Sequence, residues 1–295
     1  MTYRRTVSFL GFVLIVSLSL IAVAEGEAAS QSAQERLDRG MQLLQENQPG
    51  EAFEELQKLI DERPDLAPAF FYAGVALGRL ERYDEAYDYL IQAAELDPGN
   101  GQVHQMACIA AIRGQRIEES WEQAILAAQG GVDMSSIFSQ LENVAPPPED
   151  FEARMAAPRV FVAEIDLSAL VTRDLQPGEE EQSASAVTRT QVDFAETRRQ
   201  FGLGLLRSPS FSVVNQREAA SFVMLILVDR LDEGGGEGIR LEVRVDGHIK
   251  LLDPVSGEEM YSRPLTLSDI GTISALRGDI ARQITHLETW LERER

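Results

Sequence analysis

The chain of 295 residues has one cysteine, Cys108. A single thiol makes no internal disulfide, so the fold must be held by its cores, and Cys108 reads as a small buried residue. Lysine is nearly missing too, with only Lys58 and Lys250 among 27 basic residues. Against them stand 48 Asp and Glu, a formal net charge of −21. A nucleic-acid backbone repels such a surface, which excludes nucleic acid as a partner. The deficit is uneven: residues 30–157 carry a net −14 and residues 158–295 a net −7.

Chemistry-bearing motifs are equally scarce. There are three histidines, His104, His248 and His286, and none has a neighbour at metal-ligand spacing apart from Cys108, four residues after His104 in a helix that reads as buried. No G-x-S-x-G elbow and no H-E-x-x-H is present. Gly234, Gly235, Gly236 and Gly238 precede a strand, not a helix, and have no lysine beside them, so they read as a hairpin tip and not a phosphate cradle. The acidic run at 178–181 reads as a solvated loop. The sequence therefore nominates no catalytic residue, no metal and no cofactor, and the expectation is a protein that is not an enzyme.

The long apolar run is confined to the N-terminus. Arg4 and Arg5 precede an uncharged stretch from Val7 to Ala24 that ends Ala22-Val23-Ala24. A positive flank, an apolar core and an A-x-A site make residues 1–24 a signal peptide, or an uncleaved anchor, since 18 residues nearly suffice to span a bilayer. Either way the remainder is expected outside the cytoplasm, in a periplasm, with membrane attachment only if this segment is retained.

What the sequence does contain is a repeat. Shifted by 34 residues, Gly40, Gly74 and Cys108 align, as do Ala52, Ala86 and Ser120, and Pro64, Pro98 and Val132. Small residues at two fixed positions let two helices approach closely, and proline stops the second helix. This pattern resembles the tetratricopeptide family. The units are 34–67, 68–101 and a worn third, 102–135, with 135–144 as a capping helix, the whole array spanning 30–144. The resemblance implies a protein- or peptide-binding groove on the first helix of each unit. There stand Phe71, Val75 and Arg79 in the second unit, Gln105, Ile109 and Arg113 in the third, and Leu37, Met41 and Gln45 in the first. The family's clamp for carboxylate tails uses Lys and Asn at these places; the mainly apolar residues here favour an apolar or helical segment. An equally open reading is that the stripe simply packs between units.

Residues 145–158 carry four prolines and read as a stiff spacer before a second domain, 159–295. In that domain the apolar period changes from 3.6 to 2. Strands are expected at 159–167, 211–214 and 221–228, the last buried on both faces, with a helix around Phe194, Phe201, Leu205 and Leu206. A long loop is expected at 172–191. From Ile239 to Leu251 apolar and polar residues alternate without a break, so Asp246-Gly247 is not a hairpin; one long strand carries Gly247 on its apolar face as a bulge or close-packing point. Leu276, Ile280, Ile284, Leu287 and Leu291 mark a C-terminal amphipathic helix. The fold class is thus multidomain: an all-α array of helical hairpins, then an α+β domain with helices on one face of a mostly antiparallel sheet.

Phe211 to Val214, followed by an apolar strand and by Asp253, Ser256, Gly257 and Glu258, resembles the soluble domain of curli-secretion-channel and penicillin-binding-protein-activator lipoproteins. No cysteine follows the N-terminal apolar run, so the resemblance does not extend to their lipid tether. Together the two halves imply an exported adaptor or scaffold of the bacterial cell envelope. The alternative the second resemblance implies is a regulator that activates a cell-wall synthase through the C-terminal domain.

Overall fold

The computed structural model describes residues 32–166, 194–234, 242–268 and 273–294. The expected signal peptide, the loop expected at 172–191 and most of the expected glycine-rich hairpin tip lie outside them. The chain divides after Ala93 into two compact units. An N-terminal array of helices is followed by a mixed five-stranded sheet with a long C-terminal helix.

The first unit holds α1 (32–45), α2 (Pro49–Glu62), α3 (Ala67–Arg79) and most of α4 (Tyr83–Leu96). Proline in the first turn starts α2 and α3, where a missing N–H costs nothing. The helices meet through small residues. A Cβ on Gly40 would lie 2.7 Å from Leu56, and one on Gly74 would lie 2.6 Å from Leu90. Ala52, Ala86, Leu56 and Leu90 are fully buried or nearly so. The 34-residue shift of the sequence therefore reappears in the contacts.

It reappears more sharply in the backbone. Among the described residues, three other than glycine have positive φ: Asn47, Glu81 and Gln115, each 34 after the last. Each ends a first helix in the same way. The N–H groups of Gln48, Arg82 and Arg116 donate to the carbonyls of Leu43, Leu77 and Ala111, five residues back. Those of Asn47, Glu81 and Gln115 donate to Leu44, Gly78 and Ile112, three residues back. This double closure satisfies the orphan carbonyls of the helix end and requires a left-handed residue between the two donors.

The second unit begins with the end of α4 and continues through α5 (Gly101–Arg113), α6 (Ile117–Gln129), α7 (Ser135–Glu142) and the short α8 (Phe151–Met155). Asn100 caps α5 by accepting from the Gln102 N–H at 3.2 Å. Gly101 and Gly130 touch backbone to backbone. Met134, Phe138 and Leu141 pack α7 and its approach against Trp121 of α6. Within 145–158, α8 is held down: Arg154 makes a two-pronged ion pair with Glu122 at 2.6 and 2.8 Å, and the Gln129 side chain donates to the Arg154 carbonyl at 2.7 Å.

The sheet follows: β1 (Arg159–Val162), then α9 (Phe194–Leu206), β2 (Ser212–Val214), β3 (Phe222–Gly234), β4 (Glu242–Leu252), β5 (Glu259–Leu267) and α10 (Ile273–Glu294). Strand order is β2-β1-β3-β4-β5. The two long ladders, β3 with β4 and β4 with β5, are antiparallel, while β1 runs parallel to both β2 and β3. The sheet is therefore mixed, because each short strand enters through a crossover and not a hairpin. Phe201 and Leu205 of α9, with Leu276, Ile280, Ile284, Leu287 and Leu291 of α10, bury against Val160, Met224, Ile226, Ile249 and Leu265. Both helices thus lie on one face.

Two expectations need correction. The strand expected at 159–167 ends at Val162; beyond it the Ala163 N–H donates to the Met224 carbonyl, and an isolated bridge joins Asp166 to Leu227. The stretch 221–228 is not fully buried on both faces: Met224, Ile226 and Val228 are buried on one, while on the other Val223 is buried but Leu225 and Leu227 are only half-buried. The long strand through Asp246-Gly247 is present as β4. A Cβ on Gly247 would lie 1.9 Å from the Leu227 carbonyl oxygen, and the register slips opposite it, where Asp229 is the extra residue of a bulge.

Candidate functional site

On α3, Phe71, Val75 and Arg79 fall on one stripe, and the structure divides their roles. Val75 packs on the cluster of Leu43, Leu44, Ala52 and Ala76. Arg79 donates to the Leu44 carbonyl, adding a third bond to the end of α1. Phe71 is half-buried, lies edge-on to Tyr72 at 5.1 Å, and belongs neither to that cluster nor to the one around Leu56 and Leu59. Leu37 of α1 is only 7% exposed and joins the core, Met41 packs on it from the side, and Gln45 is exposed.

The stripe of α5 belongs to the second unit and is a surface of its own. Gln105 is half-buried, Ile109 is 37% exposed and Arg113 is exposed. Tyr89 of α4 is structural: it packs on Phe53 and Phe70 and hydrogen-bonds Gln57.

His104 and Cys108 are enclosed by packing. His104 is buried, with Nδ1 2.8 Å from Gln123 Oε1, and burial pulls its pKa below the ordinary value. Cys108 is fully buried; its thiol is pushed up to about 12 by burial and points at the Ser120 carbonyl, 3.4 Å away. That contact occupies the place of the Gly74–Ala86 approach one repeat earlier, where a Cβ would meet the Ala86 carbonyl at 3.2 Å. His248 lies 2.6 Å from Asp229 on the bulge. Among the described residues no three His, Cys, Asp or Glu side chains converge as metal ligands, and no helix is long and apolar enough to cross a membrane.

Asp253, Ser256, Gly257 and Glu258 build a turn. The Asp253 carboxylate accepts from the Ser256 N–H at 2.6 Å, the Val255 N–H at 2.9 Å and the Ser256 hydroxyl at 2.9 Å. These bonds, Ser256 first, hold it below the usual carboxylate range. Gly257 has φ +72°, so the glycine is needed for the turn.

Sequence reasoning missed one constellation. Tyr261 and Arg263 of β5 meet His286, Trp290 and Arg293 of α10 around a cleft of about 260 Å³. The signal was present but split: i, i+2 on one face of a strand, and i, i+4, i+7 on one face of a helix. Only the pairing of β5 with the end of α10 joins them.

No protein-family model matches the chain, and no curated protein does. Among solved structures the chain is similar to a PelC dodecamer from Paraburkholderia phytofirmans, at 15% identity over 43% of this chain and 84% of that one, with a TM-score of 0.30. It is also similar to the hypothetical protein CT253 from Chlamydia trachomatis, at 12% identity over 38% of this chain and 73% of that one, with a TM-score of 0.25. Likenesses at those scores define neither fold nor function.

Proposed function

We propose that the protein is an exported adaptor whose helical array is of the tetratricopeptide kind, and that it binds a protein segment in the bacterial cell envelope without catalysing a reaction. The observation that carries this reading is the division of labour on α3. Arg79 and Val75 tie α3 to its neighbours, while Phe71, a large apolar side chain on the same stripe, remains half-buried outside the two clusters. The other two aromatics of α3, Phe70 and Tyr72, pack on the cluster around Leu56 and Leu59, and Phe71 does not. An aromatic anchor beside a stabilised helix suits an apolar or amphipathic segment laid along it.

Phe71→Ser and Val75→Ser, made separately in the full chain, test this. Phe71→Ser should leave the melting temperature within about 2 °C and abolish co-purification of the envelope partner. Val75→Ser should lower stability by about 1–2 kcal/mol, since Val75 packs on a cluster. If Phe71→Ser unfolds the protein instead, the stripe is packing and the adaptor reading loses its support.

A further inference from the structure

The cleft between β5 and the end of α10 is a site of a different kind from the α3 stripe. Its floor is aromatic: Trp290 lies 5.3 Å from Tyr261 and 5.7 Å from Phe222, both tilted or edge-on to it. Its rim carries the guanidinium groups of Arg263 and Arg293, with His286 beside them and no carboxylate among the lining residues. In a chain with net charge −21, a wall without an acid is a local reversal of sign. Nearby Lys250 is paired with Glu259 at 2.6 Å, but neither Arg263 nor Arg293 forms an ion pair among the described residues. Arg263 lies near enough to the Tyr261 phenol to oppose the rise that burial gives its pKa.

We propose that this cleft binds a carboxylate carried on a flat, ring-bearing body of about one residue's size. Guanidinium groups take a carboxylate in a two-pronged fashion, and the indole and phenol rings offer a face to the attached ring. The volume of about 260 Å³ limits the body to a single ring or amino-acid side chain, below the range of drug-sized pockets. The end of α10 decides between anions. A helix C-terminus presents carbonyls and a partial negative charge, so it weakens the case for a phosphate dianion, which would want N–H donors. A monoanion tolerates that end with two arginines facing it. Arg293 also has a bland use, since a cation in the last turn of a helix is favourable by itself. That use accounts for neither Arg263 nor the bare aromatic floor.

The test uses the full chain and its two tryptophans. Each indole N–H gives one nitrogen-15 NMR signal, and Trp121, buried against Phe138 and Phe151, serves as the internal control. Titration with benzoate to about 20 mM, the range expected of a fragment this small, should shift the Trp290 signal saturably and leave Trp121 unmoved. Benzamide, the same shape without charge, should bind at least about tenfold more weakly. Arg263→Gln and Arg293→Gln should each weaken benzoate about tenfold. Both arginines are exposed, and unchanged melting temperatures would show that the variants fold. A peptide ending in a free C-terminal phenylalanine, run beside benzoate, separates a polypeptide terminus from a free aromatic acid as the source. Equal binding of benzamide, unaltered benzoate binding in both variants, or no shift of Trp290 at all would overturn the proposal.

Discussion

Three side chains in the turns after the first helices show what a single residue is asked to do here. Asn47, Glu81 and Gln115 all hold φ near +60°, a conformation that costs residues with a Cβ about 1 kcal/mol. Asn47 suits it best; Glu81 and Gln115 do not. Glu81→Gly and Gln115→Gly should each stabilise the protein by roughly 0.5 kcal/mol, the relief of strain exceeding the added entropy of the unfolded chain. Thermal melts of the two variants would show it, and Glu81→Val should move the midpoint the other way.

His104 carries the pH dependence at the same scale. Burial depresses its pKa in the folded state below the ordinary 6.5, so the unfolded chain takes up the proton first as pH falls. Its contribution is whole above pH 6.5 and is lost below it, with a slope of at most about 1.4 kcal/mol per pH unit. Melting temperatures taken between pH 7.5 and 5 should therefore fall more steeply for the native chain than for His104→Gln. Cys108, with its thiol raised to about 12, should resist alkylation until the protein is unfolded.

At the scale of the element, legibility followed periodicity. The five apolar residues of α10 were readable because a helix repeats its face every 3.6 residues, and all five are buried. β4 was readable as one strand because a hairpin at Asp246-Gly247 would have mixed polar and apolar residues on both faces. The bulge at Asp229 was not readable. It lies on the partner strand, and its cause is the backbone approach that Gly247 permits. Gly247→Ala should cost about 3 kcal/mol or more, because its Cβ would meet a backbone oxygen that has nowhere to go. Denaturant titration would measure it.

The half-buried reverse face of β3 was misread for a related reason. An apolar run reports hydrophobicity but not how many helix layers the sheet receives, and Leu225 and Leu227 stay half-buried. The left-handed turns escaped notice because Glu81 and Gln115 carry no turn signature. The cleft at Trp290 escaped because its two halves lie on separate elements. In each case the missing information is tertiary.

At the scale of the molecule, α5 to α8 and the sheet, which share the second unit, are less separate than the proline-rich segment suggests. In the second unit, α8 is clasped to α6 through Arg154 and Glu122, and the turn at Gly99 meets β2 so closely that a Cβ would lie 2.7 Å from Asn215 N. A fragment of residues 158–295 should melt well below one of residues 94–295, which keeps α5 to α8 with the sheet. Any comparison of the two halves for partner binding is cleaner with the longer piece.

The adaptor reading rests on Phe71, and a photo-crosslinking residue placed there in the full chain, in the envelope, questions it directly. The account predicts a discrete crosslinked partner at position 71, absent when the same residue stands at position 88 on α4, and lost when the crosslinker at 71 is combined with a competing apolar helical peptide. No crosslink at 71, or equal crosslinking from both positions, would contradict it.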